Sequence, residues 1–259
     1  MSDPENIITG VGVTKRFGGM TAVNSVDFDL RKGEILGLIG PNGAGKTTLF
    51  NCISSFYKAD EGVITFGGRR INKLSPDRIC RLGIARTFQA AKNFPDMSVR
   101  ENVRMGALFG QTGISYAQAD KLTDETMAFT GLDKYVGMNV PDMPLALQKR
   151  LEVARALATN PDVLLIDEVM AGLNPVEVDE AMELVGKIRA SGVTVLMIEH
   201  VMKAIMAICD RIIVLHHGEL IAEGAPDQVA NDPQVIEVYL GEEDDDESED
   251  EGAGGIAGD

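Results

Sequence analysis

The sequence predicts an α/β fold with a mostly parallel sheet covered on both faces, an N-terminal antiparallel β subdomain and a helical insertion. Three observations carry this. The runs "DVLLID", "VTVLMIEH" and "RIIVLHH" are apolar and β-branched and are separated by helix-length segments such as 175–190, as expected of strands buried on both faces of a parallel sheet. Residues 7–66 instead alternate short apolar runs with turn residues, in "VDFDL", "GEILGLIG" and "GVITFGG". Between 98 and about 143 the pattern turns helical, in "SVRENVRMGALFG", "SYAQADKLTDETMAFTG" and "LDKYVGM", with no strand among them.

The first strands lead into "GPNGAGKTT", residues 40–48, which follows the strand "EILGLI" and opens a helix through "TTLFNCIS" with Leu49, Phe50 and Ile53 on one face. In that context G-x-x-x-x-G-K-[ST] is a phosphate-binding loop. Gly40, Gly43 and Gly45 let the backbone wrap closely, so that successive N–H groups point inward at the positive end of a helix. Lys46 is placed to reach the β- and γ-phosphates of a nucleoside triphosphate, and the Thr47 hydroxyl to ligate Mg²⁺.

Further along, Gln89 closes "GIARTFQ" just before the insertion, where it could sense a γ-phosphate or Mg²⁺; taken alone such a residue is more often an ordinary satisfied strand end. After the insertion, "DMPLALQKRLEVARAL" is expected to be a helix with Pro144 at its first helical position, where a missing N–H costs nothing. In "VLLIDE", Asp167 ends a buried strand in position to hold Mg²⁺ through its water shell. Glu168, one residue on and expected on the other face, is a candidate to polarise an attacking water. His200 ends "VTVLMIEH" and could donate to a γ-phosphate, with the same strand-end alternative as Gln89. His216 and His217 should alternate across a strand end and so cannot share a metal.

Composition excludes several classes. The 259 residues, 44% hydrophobic, suffice for a large core, and no apolar run approaches the roughly 20 residues of a membrane span. "MSDPENIITG" lacks the basic and apolar regions of a signal peptide. Three scattered cysteines, Cys52, Cys80 and Cys209, form neither a disulfide framework nor a zinc motif. Of the net −16, ten charges fall in residues 242–259, leaving −6 on residues 1–241. The acidic run "EEDDDESED" and its glycine-rich end are expected to form a disordered tail. With no basic stripe, nucleic acid is not an expected partner.

The order of features is an aromatic ahead of the first strand pair, a phosphate loop, a glutamine, a helical insertion, an Asp-Glu strand and a histidine. It resembles that of the nucleotide-binding subunits of ABC transporters, over residues 7–240. The resemblance implies a P-loop NTPase (RecA-like) core at about 5–90 and 146–222, a helical subdomain at about 91–145 and C-terminal helices at about 226–240. Together these make an ATPase domain over 1–241, followed by the acidic tail at 242–259. It also implies that ATP is bound by Phe17, stacking on adenine, with Val23, Gly40, Asn42, Gly43, Ala44, Gly45, Lys46, Thr47 and Thr48. Mg²⁺ would be held by Thr47, Gln89 and Asp167, and Glu168, His200 and Gln89 would be catalytic, with "AGLN" as the D-loop. Segments such as "GIARTFQAAKNFPDMSVRENV" and "GELIAEGAPDQVANDPQVIEVYLG" are similar to the larger of two paralogous ATPases in branched-chain amino acid importers. That branch implies a cytoplasmic-face subunit paired with a second ATPase, as a heterodimer or a homodimer. Two membrane permeases and, indirectly, an external solute-binding protein complete it. A soluble ABC ATPase acting in assembly rather than transport is the alternative.

One stretch departs from the family. Where its signature usually reads L-S-G-G-Q or L-S-Y-G-Q, this chain has Met143, Pro144, Leu145, Ala146 and Leu147. The serine hydroxyl that, by the resemblance, caps a partner's ATP is missing, so an asymmetric heterodimer is expected, with hydrolysis mainly at the site built on Lys46, Asp167 and Glu168; the alternative is that backbone amides suffice and both sites turn over.

Overall fold

In the computed structural model, which describes residues 5–88 and 93–239, the N-terminal half comprises β1 (Asn6–Phe17), β2 (Met20–Arg31), β3 (Ile35–Ile39), α1 (Lys46–Ile53), β4 (Glu61–Phe66), β5 (Arg69–Arg70), α2 (Pro76–Leu82) and β6 (Ile84–Arg86). Two helices follow, α3 (Val99–Gly110) and α4 (Tyr116–Thr130), then α5 (Leu145–Leu157). The chain continues through β7 (Val163–Asp167), α6 (Pro175–Ala190), β8 (Thr194–Ile198), α7 (Met202–Ile208), β9 (Arg211–His216), β10 (Glu219–Gly224) and α8 (Pro226–Ala230). Residues 233–239 are also helical.

Two sheets form. Strands β2-β1-β4-β5 make an antiparallel four-stranded sheet, and β10-β9-β3-β8-β7-β6 a six-stranded one. In the latter every pair is parallel except the β9–β10 hairpin. The period-2 alternation of the buried strands assigns their faces. Leu36, Leu38, Val163, Leu165, Leu196, Ile198, Ile213 and Leu215 face α1 and the antiparallel sheet, in a core that includes Leu49, Phe50 and Ile53. Ile35, Ile39, Leu164, Ile166, Val195, Met197, Ile212 and Val214 face the other way, onto Val178, Val185 and Ile188 of α6 and Ala204 and Ile205 of α7. A third core, with Val99, Val103, Met127 and Leu151, unites α3, α4 and one face of α5.

Local sequence explains the helix starts. Ser98 with Glu101, Ser115 with Gln118 and Asn174 with Glu177 form capping boxes for α3, α4 and α6. Two expectations need correction. "LDKYVGM" is not a helix but a short 3₁₀ turn, Asp133–Tyr135. Its last carbonyls are taken by α3 instead of by a next turn, since Arg100 N–H donates to Val136 O (3.4 Å) and Val99 N–H to Met138 O (3.1 Å). Pro144 lies just outside α5: its backbone is extended (ψ 153°), and its carbonyl accepts the first helical bond, from Gln148 N–H at 3.0 Å. The expected acidic tail lies outside the described residues.

Arg211, at the start of β9, ties the two sheets together. Its buried guanidinium pairs with Glu34 (2.8 Å), Asp29 (3.0 Å) and Glu223. Glu34, itself buried, also accepts from Arg31 N–H at 2.6 Å. Arg211→Leu should therefore strand a buried carboxylate and cost about 3 kcal/mol or more in urea unfolding. A loss below about 1 kcal/mol would show that water reaches Glu34.

Candidate active site

The turn from β3 into α1 forms a phosphate cradle held by its surroundings. Gly40 has φ 144° and a Cβ there would lie 2.0 Å from Leu215 O; at Gly45, φ 102°, it would lie 2.3 Å from Ala22 O. No side chain is tolerated at either position. From the third side, Gly218 N–H donates to Ala44 O at 3.0 Å. The first turn of α1 has neither a side-chain cap nor an acidic residue, so its orphan N–H groups and positive dipole end face the cleft. Lys46 is buried and donates to Gly40 O (2.5 Å) and Pro41 O (2.7 Å).

The cleft, about 340 Å³, is lined by Phe17, Met20, Ala22, Asn42, Gly43, Ala44, Gly45, Lys46, Thr47, Thr48, Glu168 and His200. Phe17 ends β1 rather than preceding the strand pair. The residue is 40% exposed; its ring meets Tyr57 edge-on at 5.2 Å, and Lys15 Nζ lies over the ring, 5.3 Å from its centroid. Val23 does not line the cleft: it is fully buried among Val13, Val26 and Leu30, and its neighbour Ala22 takes the place expected for it. Gly40 acts from behind, through its carbonyl. Gln89 lies outside the described residues; Phe88 before it donates its N–H to Glu152 Oε1 at 2.8 Å.

Asp167 shares strand parity with Val163 and Leu165, which puts its side chain on the α1 side of the sheet. It is 1% exposed. Its N–H donates to Thr87 Oγ1 (2.9 Å), and its Oδ2 pairs with Arg86 at 3.2 Å. Arg86 is fixed in turn by Asn51 Oδ1 (2.6 Å) on α1 and by Ser54 Oγ (3.0 Å) at its C-terminal cap. Burial pushes the Asp167 carboxyl up, and Arg86 opposes that. Oδ1 is buried with no hydrogen-bond partner. An orphaned carboxylate oxygen together with the Thr47 hydroxyl is the hard-oxygen donor set that suits Mg²⁺.

Glu168 departs from expectation. A continuing strand would turn it to the α6 face, but its backbone is left-handed (φ 51°), which swings the side chain into the cleft. There Oε1 meets His200 Nε2 at 2.7 Å. One base-competent carboxylate and one imidazole thus face the space beyond Lys46 and Thr47, an arrangement able to accept a proton from a water and to contact a terminal phosphate. His216 and His217 also differ from expectation. His217 is left-handed (φ 48°), and the two rings lie with centroids 3.9 Å apart, tilted by 42°, instead of alternating.

Sequence reasoning missed Glu199, beside His200. It is 2% exposed, accepts from Met170 N–H (2.8 Å) through Oε1, and leaves Oε2 without a partner. Burial pushes its carboxyl up to about 7 from 4.5, against the Met170 and His200 amides and the Lys149 charge, while Glu168 adds to the rise. An acid with a raised folded-state pKa stabilises below its unfolded value and loses that contribution as pH rises. Glu199→Gln should therefore gain on the natural chain between about pH 4.5 and 7, by about 3 kcal/mol at most. Thermal unfolding across that range reads the difference; a gap that does not change with pH would show that Glu199 ionises freely.

Residues 23–171 match the family model described as ABC transporter, and 219–245 the one described as branched-chain amino acid ATP-binding cassette transporter. The high-affinity branched-chain amino acid transport ATP-binding protein LivG of Salmonella typhimurium is 40% identical over 256 residues, covering 93% of this chain and 100% of its own. BraF of Pseudomonas aeruginosa, described in the same words, is 38% identical with the same coverage. A nucleotide-free ATP-binding cassette from an ABC transporter superposes with TM-score 0.82 at 30% identity, over 91% of this chain and 99% of its own. An ADP-bound cassette gives 0.83 at 31% identity, over 92% and 99%.

Proposed function

The chain belongs to the ABC transporter family, in its branched-chain amino acid branch, and from that premise we propose that it powers uptake of branched-chain amino acids or a related small solute by hydrolysing ATP on the cytoplasmic face of two membrane permease subunits. One observation carries this reading. Phosphate cradle, orphaned Asp167 oxygen and the Glu168–His200 pair converge on one cleft, in a chain that covers importer ATPases from end to end.

In this reading Phe17 stacks on adenine, and Lys46 with the α1 amides holds the phosphates. Thr47 and Asp167 hold Mg²⁺, with Gln89 as a further ligand; the ion, when bound, neutralises charge on the β- and γ-phosphates. Glu168 takes a proton from the attacking water, and His200 orients Glu168 and donates to the γ-phosphate. For the membrane partners, a groove of about 230 Å³ lined from α2, β6 and the end of α5 offers a largely apolar docking surface, with Phe56, Ile79, Cys80 and Phe88 in its lining and Phe56 56% exposed.

The start of α5 supports an asymmetric pairing with a paralogous ATPase over a homodimer. Its N-terminus keeps its dipole, with no acidic residue in the first turn, but Pro144 supplies neither a hydroxyl nor a donor, and Leu145 stands 47% exposed in front of it. Losing one charge-assisted bond weakens capture of a partner's ATP by about 1.5–3 kcal/mol. Co-expression with the permease genes tests the whole reading. A detergent-extracted complex is expected whose ATPase activity rises with solute-loaded binding protein, whereas an active chain found only in the soluble fraction would point to assembly work instead.

A further inference from the structure

The loop that carries Glu168 is held at three backbone groups by two side chains from different elements. Lys149, on α5, donates to Glu168 O at 2.8 Å and to Ala171 O at 2.6 Å. Glu199, just past the end of β8, accepts from Met170 N–H at 2.8 Å. Leu145, one helical turn before Lys149, adds a contact on the same face of α5, since a Cβ on Gly172 would come within 3.3 Å of its Cδ2.

The conformation these bonds hold is a costly one. Glu168 is a non-glycine residue at φ 51°, a left-handed backbone that persists only where its surroundings over-determine it. Extended backbone at this position would return the carboxylate to the α6 face, away from His200. The Glu168 carbonyl moves with that same backbone, and Lys149 holds it. We propose that Lys149 and Glu199 are positioning residues that clamp the 168–171 loop in the left-handed form which aims Glu168 into the cleft. A side chain of the divergent α5 thereby sets the geometry of this chain's own catalytic carboxylate.

This inference rests on Glu168 being the base, so Glu168→Gln is measured alongside in the full transporter complex. ATP affinity, maximal turnover and melting temperature are read for each variant. Lys149→Met and Glu199→Leu are expected to lower turnover 10- to 100-fold with ATP Kd within about twofold. Lys149→Arg, which can still donate to two carbonyls, should recover most of that loss. Glu199→Gln, which still accepts from Met170 N–H, should stay within about threefold of the natural chain. Normal turnover in Lys149→Met, or equal losses in turnover and ATP affinity, overturns the proposal, as does a Glu199→Gln as impaired as Glu199→Leu. If Lys149→Met does not fold, Lys149→Arg and Lys149→Gln decide: turnover should follow Lys, Arg, Gln in descending order, and equal values refute the clamp. An inactive Glu168→Gln beside a fully active Lys149→Met removes this inference alone; an active Glu168→Gln removes the reading of the site beneath it.

Discussion

Glu168→Gln in the assembled transporter is expected to cut ATP turnover at least 100-fold while leaving ATP bound. Removing a positioned general base costs about 10²- to 10⁴-fold. Glutamine keeps the size of glutamate and can still hydrogen-bond to His200, now 2.7 Å away. The fold and the phosphate cradle are therefore unaffected, and the loss falls on the chemical step. Fluorescent-nucleotide binding and steady-state hydrolysis on the same sample separate the two. The matching change in the paralogous ATPase should cost less than half the turnover, because the site it inactivates is the one completed by Pro144 and Leu145. Equal losses from the two substitutions would sink the asymmetry while leaving the role of Glu168 standing.

Lys46→Ala is expected to weaken ATP binding about 100-fold or more. The ammonium is buried and already lies against the cradle, so little entropy is spent in turning it to a phosphate. Each charge-assisted bond it makes is worth about 1.5–3 kcal/mol. A second cost is local, since the Gly40 and Pro41 carbonyls lose their donor. Calorimetric titration with ATP checks the first effect and thermal unfolding the second. A dissociation constant within threefold of the natural chain would mean that the amides of α1 carry the phosphates alone.

The sequence makes some of this legible and hides the rest for physical reasons. The apolar strands β3, β7, β8 and β9 are readable because strands buried on both faces run continuously apolar and β-branched, and α6 because Asn174, Pro175 and Glu177 spell a helix start. The phosphate loop is readable because its glycines answer contacts that no other residue survives. The orientation of Glu168 is not, because parity fails at a single left-handed residue. Val23, implied only by the resemblance, is fully buried while its neighbour Ala22 lines the cleft; a family correspondence does not say which of two adjacent strand residues faces the cleft. Lys149 and Glu199 bond to backbone carbonyls and an amide distant in sequence, and no motif records such partners. Arg86, which binds Asp167 across the sheet, is hidden in the same way.

The bracing of the phosphate cradle bears on how products leave. Leu215 O, Ala22 O and the Gly218 N–H confine the loop on three sides, and their grip does not depend on a third phosphate. ADP therefore meets the same seat as ATP and is not expelled by any softening of that seat after hydrolysis. What differs between the two nucleotides lies at the far end of the cleft, where Glu168 and His200 stand, so discrimination of ATP from ADP falls on these two side chains and not on the cradle.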